Sequence, residues 1–195
     1  MADFNAPVTS LRSADRAADF ITAELELLVE DGLGIAKLQI WGPDWDKGFS
    51  DLLGCPPPRK GTQSASGGLT IAWLAPGEWL LIGDEPAVAT RTGDIAPRLP
   101  SEALITDLTH GRTSLLLSGK NARGALEAHC PLDLWPTKFC ENLVARSLLG
   151  DVGAFVARLP DRADGPSFRI IVDQTMGIYA ARLLVASASA PGVFA

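Results

Sequence analysis

The 195-residue sequence is poor in the side chains that most often carry chemistry: three cysteines, two histidines, two methionines and one tyrosine. Cys55, Cys130 and Cys140 are odd in number and widely spaced, which excludes a disulfide framework and reads as reduced thiols. The two histidines, His110 and His129, stand 19 residues apart with no CxxC or HxxxH spacing, so they supply no recognisable metal-ligand set. Long apolar runs are missing too. "IAWLAPGEWLLIG" is cut by Pro76 and Glu78, well short of the ~18 apolar residues of a membrane span. Asp3, Arg12, Asp15, Arg16 and Asp19 break up the first twenty residues, so no signal-type segment is legible there and a cytoplasmic location is expected. Seventeen basic residues against 23 acidic ones give a net charge of -6 with no basic cluster, which argues against a nucleic-acid partner.

What the sequence does hold is apolar bulk and a repeat. With 47% hydrophobic residues the chain can offset the entropy of ordering itself. "AELELLVEDG" and "GIAKLQIWG" read as two strands, and residues 23 to 42 suggest a hairpin. Trp45, Phe49, Leu52 and Leu53 then fall at helical spacing behind Pro43, with Gly54 as a stop. "CPPPRKGTQSASGG" has loop composition, mobile near Ser64 to Gly68. Two strands about Pro76-Gly77 and a poor helix over 86 to 98 complete this half. The second half repeats the order. It runs through "EALITDL" and "GRTSLLLSG", a helix from about Lys120 to His129, three strands with a polar loop from Pro160 to Pro166, and a C-terminal helix whose apolar face is Met176, Tyr179, Ala180, Leu183 and Leu184. Gly42 matches Gly119 at an offset of 77, and Cys55 matches Cys130. The fold class expected is α+β: duplicated strand-helix-strand units, mostly antiparallel sheets with helices on one face. It forms one compact domain over 1–195 built of pseudo-repeats at about 23–100 and 101–188, with a flexible tail over 189–195.

Few residues stand out as sites. His129 and Cys130 are adjacent, but neighbouring helical side chains point about 100° apart, and the matching position in the first half is Gly54. The pair therefore reads as a helix end filled by a small apolar thiol and stopped by proline, ahead of an activated nucleophile. No glycine turn has the spacing of a phosphate loop, so catalytic and metal-ligating residues are expected to be absent. Asp107, His110 and Arg112 in "TDLTHGRTSL" are candidate cleft residues; the simpler reading makes them strand-end groups that satisfy a turn. Leu132, Leu134, Trp135 and Phe139 lie between and after Pro131 and Pro136, which keep them off one helical face. They form a candidate interface through which the isolated chain would dimerise weakly. The other four tryptophans, at 41, 45, 73 and 79, are expected in the core.

"WLAPGEWLLIG", "DLTHGRTSLLLSG" and "ALEAHCPLDLWPTKF", in this order, resemble the gamma subunit of bacterial heterotetrameric sarcosine oxidase, over about Gly34 to Leu184. The resemblance implies a fold related to the folate-binding domain of the glycine-cleavage aminomethyltransferase. It also implies larger alpha and beta subunits as partners in the oxidative demethylation of sarcosine. FAD, FMN, NAD and tetrahydrofolate would sit in those subunits and none in this chain alone. The alternative is a stand-alone folate-binding one-carbon transfer protein of the same fold. Against it, Gly153, Ala154 and Phe155 stand where the aminomethyltransferase relative has an acidic residue.

Overall fold

The computed structural model describes residues 20–188. In chain order the elements are β1 (Phe20–Ile21), β2 (Glu26–Val29), β3 (Leu33–Ile40), α1 (Trp45–Leu53), β4 (Gln63–Ser66), β5 (Leu69–Ala75), β6 (Glu78–Asp84), α2 (Glu85–Ile95), β7 (Ala103–Asp107), β8 (Arg112–Ser118), α3 (Ala122–Glu127), β9 (Val144–Leu149), β10 (Val152–Arg162), β11 (Gly165–Asp173) and α4 (Gly177–Ala188). Every strand pairing is antiparallel. The strands make two sheets, a six-stranded one in the order β1-β2-β8-β11-β10-β9 and a five-stranded one in the order β4-β5-β6-β3-β7. The chain divides into two compact units: Gly32–Thr109 is one, and the described residues up to Asp31 together with those from His110 onward are the other.

In the Gly32–Thr109 unit the core follows from the helical spacing of α1. Phe49, Leu52 and Leu53 turn inward, and Phe49 lies 4.5 Å, ring to ring, from the fully buried Trp79 of β6. Burying rings of this size contributes roughly 1.5 to 3 kcal/mol each. Gly54, at φ 70, ends the helix with its N–H donated to Ser50 O. The last carbonyls of α1 are taken by arginines from outside it: Arg91 Nη2 donates to Leu53 O at 2.7 Å and Arg98 Nη2 to Asp51 O at 2.6 Å.

In the other unit, Leu115 and Leu117 of β8 and Phe168, Ile170 and Val172 of β11 meet Ala122, Ala125 and Leu126 of α3 and Ala180, Ala181 and Leu184 of α4. The small residues let both helices approach the sheet closely. The two units share one plan, β8, α3, β9, β10, β11 and α4 matching β3, α1, β4, β5, β6 and α2 in order and in sheet position. The tight turns match as well. Ile40 N, at the end of β3, donates to Gly77 O at 2.9 Å, and Gly119 N, just past β8, donates to Pro166 O at 3.2 Å.

Four expectations are corrected. Residues 23 to 42 form no hairpin: β2 pairs with β8 in one sheet, while β3 pairs with β6 and β7 in the other. The outer strand of each sheet thus comes from the other repeat, β2 from 23–100 and β7 from 101–188. The segment near Ser64 is not a free loop but the edge strand β4, whose polar side chains suit a strand paired on one side only. The loop expected from Pro160 to Pro166 shrinks to Ala163 and Asp164, because β10 runs to Arg162 and β11 begins at Gly165. The inward face of α4 is Ala180, Ala181 and Leu184, and Met176, Ile178 and Tyr179 are exposed. The poor helix over 86 to 98 is present as α2 with one further 3-10 turn. The tail over 189–195 lies outside the described residues.

Candidate functional site

The Cys130 thiol and the His129 imidazole are engaged separately. Cys130 is buried among Leu126, Leu134 and Phe139 in the core of its unit, with Sγ 3.6 Å from Ser147 Oγ. His129 Nε2 is hydrogen-bonded to Ser187 Oγ on α4. The same hydroxyl lies 3.3 Å from Leu183 O, to which it can donate. His129 O in turn accepts from Gly150 N at 2.8 Å, tying the end of α3 to the β9–β10 turn. These contacts hold α3, α4 and the sheet edge together. Cys55 is partly buried against the core of the other unit, and Cys140 is exposed.

Of the three candidate cleft residues, Asp107 ends β7 and its Oδ1 accepts from Thr109 N at 2.9 Å, closing a local turn. Thr109 Oγ1 accepts from Ile35 N at 3.1 Å. His110 is exposed. Arg112 opens β8 and reaches across the sheet to Asp173, Nη1 to Oδ2 at 2.9 Å. Asp173 also accepts from Thr175 N and Oγ1 at 3.1 and 2.8 Å, capping the turn that leads into α4. The Thr175 hydroxyl first, then its N–H and the Arg112 charge, hold the Asp173 carboxyl below its ordinary value of 3.8.

The segment after Cys130 carries one of the exposed large apolar side chains. Leu134 and Phe139 are buried in the core and Leu132 packs against it, so these three are not the outward-facing residues the prolines suggested. Trp135 is: the residue is 63% exposed. Its backbone is pinned on both sides, the N–H donating to Asp133 Oδ1 at 3.2 Å and the carbonyl accepting from Lys138 N and Phe139 N, each at 2.8 Å. The backbone that carries the ring is therefore fixed beside two buried residues, Leu134 and Phe139, which limits the backbone entropy lost when a partner covers it. Trp41, expected in the core, is exposed as well, at the end of β3 where its N–H donates to Glu102 O.

A partly buried ionic cluster was not legible in the sequence. Glu30 accepts from Arg169 Nε and Nη2 at 2.7 and 2.8 Å and from Ser114 Oγ at 2.7 Å, linking β2, β8 and β11. One ladder turn away, Glu26 accepts from Ser118 Oγ at 3.1 Å and Arg162 Nη1 at 2.8 Å. Among the described residues no group of three or more His, Cys, Asp or Glu is placed to hold a metal ion, and no helix is long and apolar enough to cross a membrane.

Two antiparallel sheets with matching helices define a duplicated α+β fold, and it is found in proteins of known structure. Aminomethyltransferase T of the glycine cleavage system from Bartonella henselae aligns with a TM-score of 0.64 at 15% identity, over 85% of this chain and 46% of that one. A chain of the heterotetrameric sarcosine oxidase from Corynebacterium sp. U-96, solved with pyrrole 2-carboxylate, aligns at 0.75 and 23% identity over 94% and 93%. The sequence profile described as the sarcosine oxidase, gamma subunit family matches residues 42–176. The chain belongs to that family. Sarcosine oxidase subunit gamma of Corynebacterium sp. (strain P-1) is 31% identical over 97 residues, 49% of this chain and 47% of the relative. That of an Arthrobacter species is 30% identical over 100 residues, 51% and 48%. The match thus spans about half the length of these curated relatives.

Proposed function

We propose that this chain is a non-catalytic subunit of a heterotetrameric sarcosine-oxidase-like flavoenzyme, and that it supports assembly of the larger alpha and beta subunits in the oxidative demethylation of sarcosine. Membership of the gamma subunit family supports the partner, and the exposed indole of Trp135 on a hydrogen-bonded backbone is the observation that carries the role. A large exposed aromatic ring is the kind of group that dominates an interface. In this reading FAD, FMN, NAD and tetrahydrofolate belong to the other subunits. Co-expression with the alpha and beta subunits tests it. The chain is expected to co-purify with them in a fixed ratio, and the complex lacking it is expected to be unstable or incompletely assembled. A fully stable alpha-beta complex that never retains this chain would refute the proposal.

The likeness to aminomethyltransferase T favours one second reading, a stand-alone folate-binding one-carbon transfer protein. Equilibrium dialysis of the isolated chain against tetrahydrofolate separates the two. Stoichiometric binding supports the second reading, and none supports the first.

A further inference from the structure

We infer that the two repeats are obligate complements, each able to complete its sheet only with a strand lent by the other, so that the chain folds as two interlocked halves rather than as a first half and then a second. The inference rests on strand pairing and is independent of the proposed function. β2 and β7 occupy the same place in their repeats, Glu26 to Ala103 being the same offset of 77 as Gly42 to Gly119. Yet β2 lies beside β8 and β7 lies beside β3. The two exchanged strands are also equivalent in their sheets, each flanking the strand that leads into the first helix of its unit.

Each loan is substantial. β2 and the residue before it bring Leu25, Leu27 and Val29, all at most 2% exposed, and Glu30, next along the chain, holds Arg169 and Ser114. β7 brings five paired residues to β3 and packs Ala103 and Ile105 on the core. Without β2, β8 would become an edge strand whose consecutive Leu115, Leu116 and Leu117 are buried in the folded chain, a template for aggregation. β2 must wait for β8, more than eighty residues later in the chain, and the first repeat's own sheet ends at an unpaired β3 until β7 arrives from the second repeat.

The test uses the full chain with a protease site inserted between Pro100 and Ser101, in the turn before β7. After cleavage the two fragments are expected to elute together at 1:1 at micromolar concentration and to keep the far-UV circular dichroism of the intact chain. Two cysteine pairs placed at opposed positions, Glu26→Cys with Ser118→Cys and Lys37→Cys with Thr106→Cys, each in a Cys140→Ser background, are expected to join the fragments into one band on oxidation. Fragments separated in denaturant and refolded singly are expected to lose most of their ellipticity and to regain it on mixing. The inference is overturned if the cleaved fragments part in native buffer. It is equally overturned if either fragment alone refolds with its own cooperative melt, or if a folded, cleaved chain forms neither cross-link.

Discussion

Gly165→Ala is a demanding test of how closely the turns pack. Gly165 opens β11 at φ 140, a region that side-chain-bearing residues rarely enter, and a Cβ there would lie 2.6 Å from Gly119 C, 2.8 Å from Gly119 O and 2.8 Å from Lys120 N. These are backbone atoms and cannot swing away; moving them would pull on the Gly119–Pro166 hydrogen bond and on the start of α3. The backbone strain costs about 1 to 3 kcal/mol and the overpacking about 1 to 3 kcal/mol more. A loss of roughly 3 to 5 kcal/mol, out of a total stability of roughly 5 to 15, should lower Tm by about 10 °C. The control is Gly153→Ala in β10, where a Cβ meets nothing within 4 Å. It should be neutral or stabilise by about 0.5 kcal/mol through the unfolded chain. Both variants are read by thermal and urea unfolding. Equal melting temperatures for the two would show that the Gly119–Gly165 contact is not as tight as described.

Three further outcomes follow from the same geometry. Glu30→Gln leaves Arg169 largely buried beside a neutral amide and should cost about 2 kcal/mol in urea unfolding, less than a fully buried pair because both side chains keep some solvent contact; an unchanged midpoint would contradict the role given to the cluster. Cys130→Ser should cost only about 1 kcal/mol, because Ser147 Oγ stands ready to partner the new hydroxyl, and a loss near that of a cavity mutant would show the hydroxyl unsatisfied. The Asp173 carboxyl has a lower pKa folded than unfolded, so its stabilisation is complete above the ordinary value of 3.8 and is lost as pH falls through the folded value. Asp173→Asn should therefore flatten the acid limb of the stability curve below about pH 4, and an acid limb identical to the parent's would contradict this.

The elements with a clear period were legible: α1 from Trp45, Phe49, Leu52 and Leu53, and the apolar runs of β8 and β11. So was the duplication, because glycine turns and Cys-Pro helix ends recur. The strand exchange was not. Asp31-Gly32 between two strand patterns is a strong local hairpin signal, while the partner that holds Glu30 is Arg169, 139 residues away, and no local pattern encodes a pairing at that distance. β4 was missed because Gln63, Ser64, Ala65 and Ser66 carry turn-like composition, which an edge strand tolerates. Within the candidate site, the prolines marked the segment around Trp135 as irregular. An irregular segment has no period from which to read direction, so nothing in the sequence marks Leu134 and Phe139 as buried and Trp135 as exposed.

Trp135→Ala tests the assembly role most directly, measured two ways: thermal unfolding of the isolated chain and affinity for the alpha and beta subunits. The exposed ring contributes little to the core of its own unit, whose neighbouring anchors are Leu134 and Phe139. The Tm is expected to stay within about 2 °C of the parent, corresponding to the ~0.5 kcal/mol typical of surface changes. Affinity for the larger subunits is expected to weaken by about 2 kcal/mol, roughly thirtyfold. Unchanged affinity in a variant that still folds would contradict the claim that this chain meets its partners through Trp135.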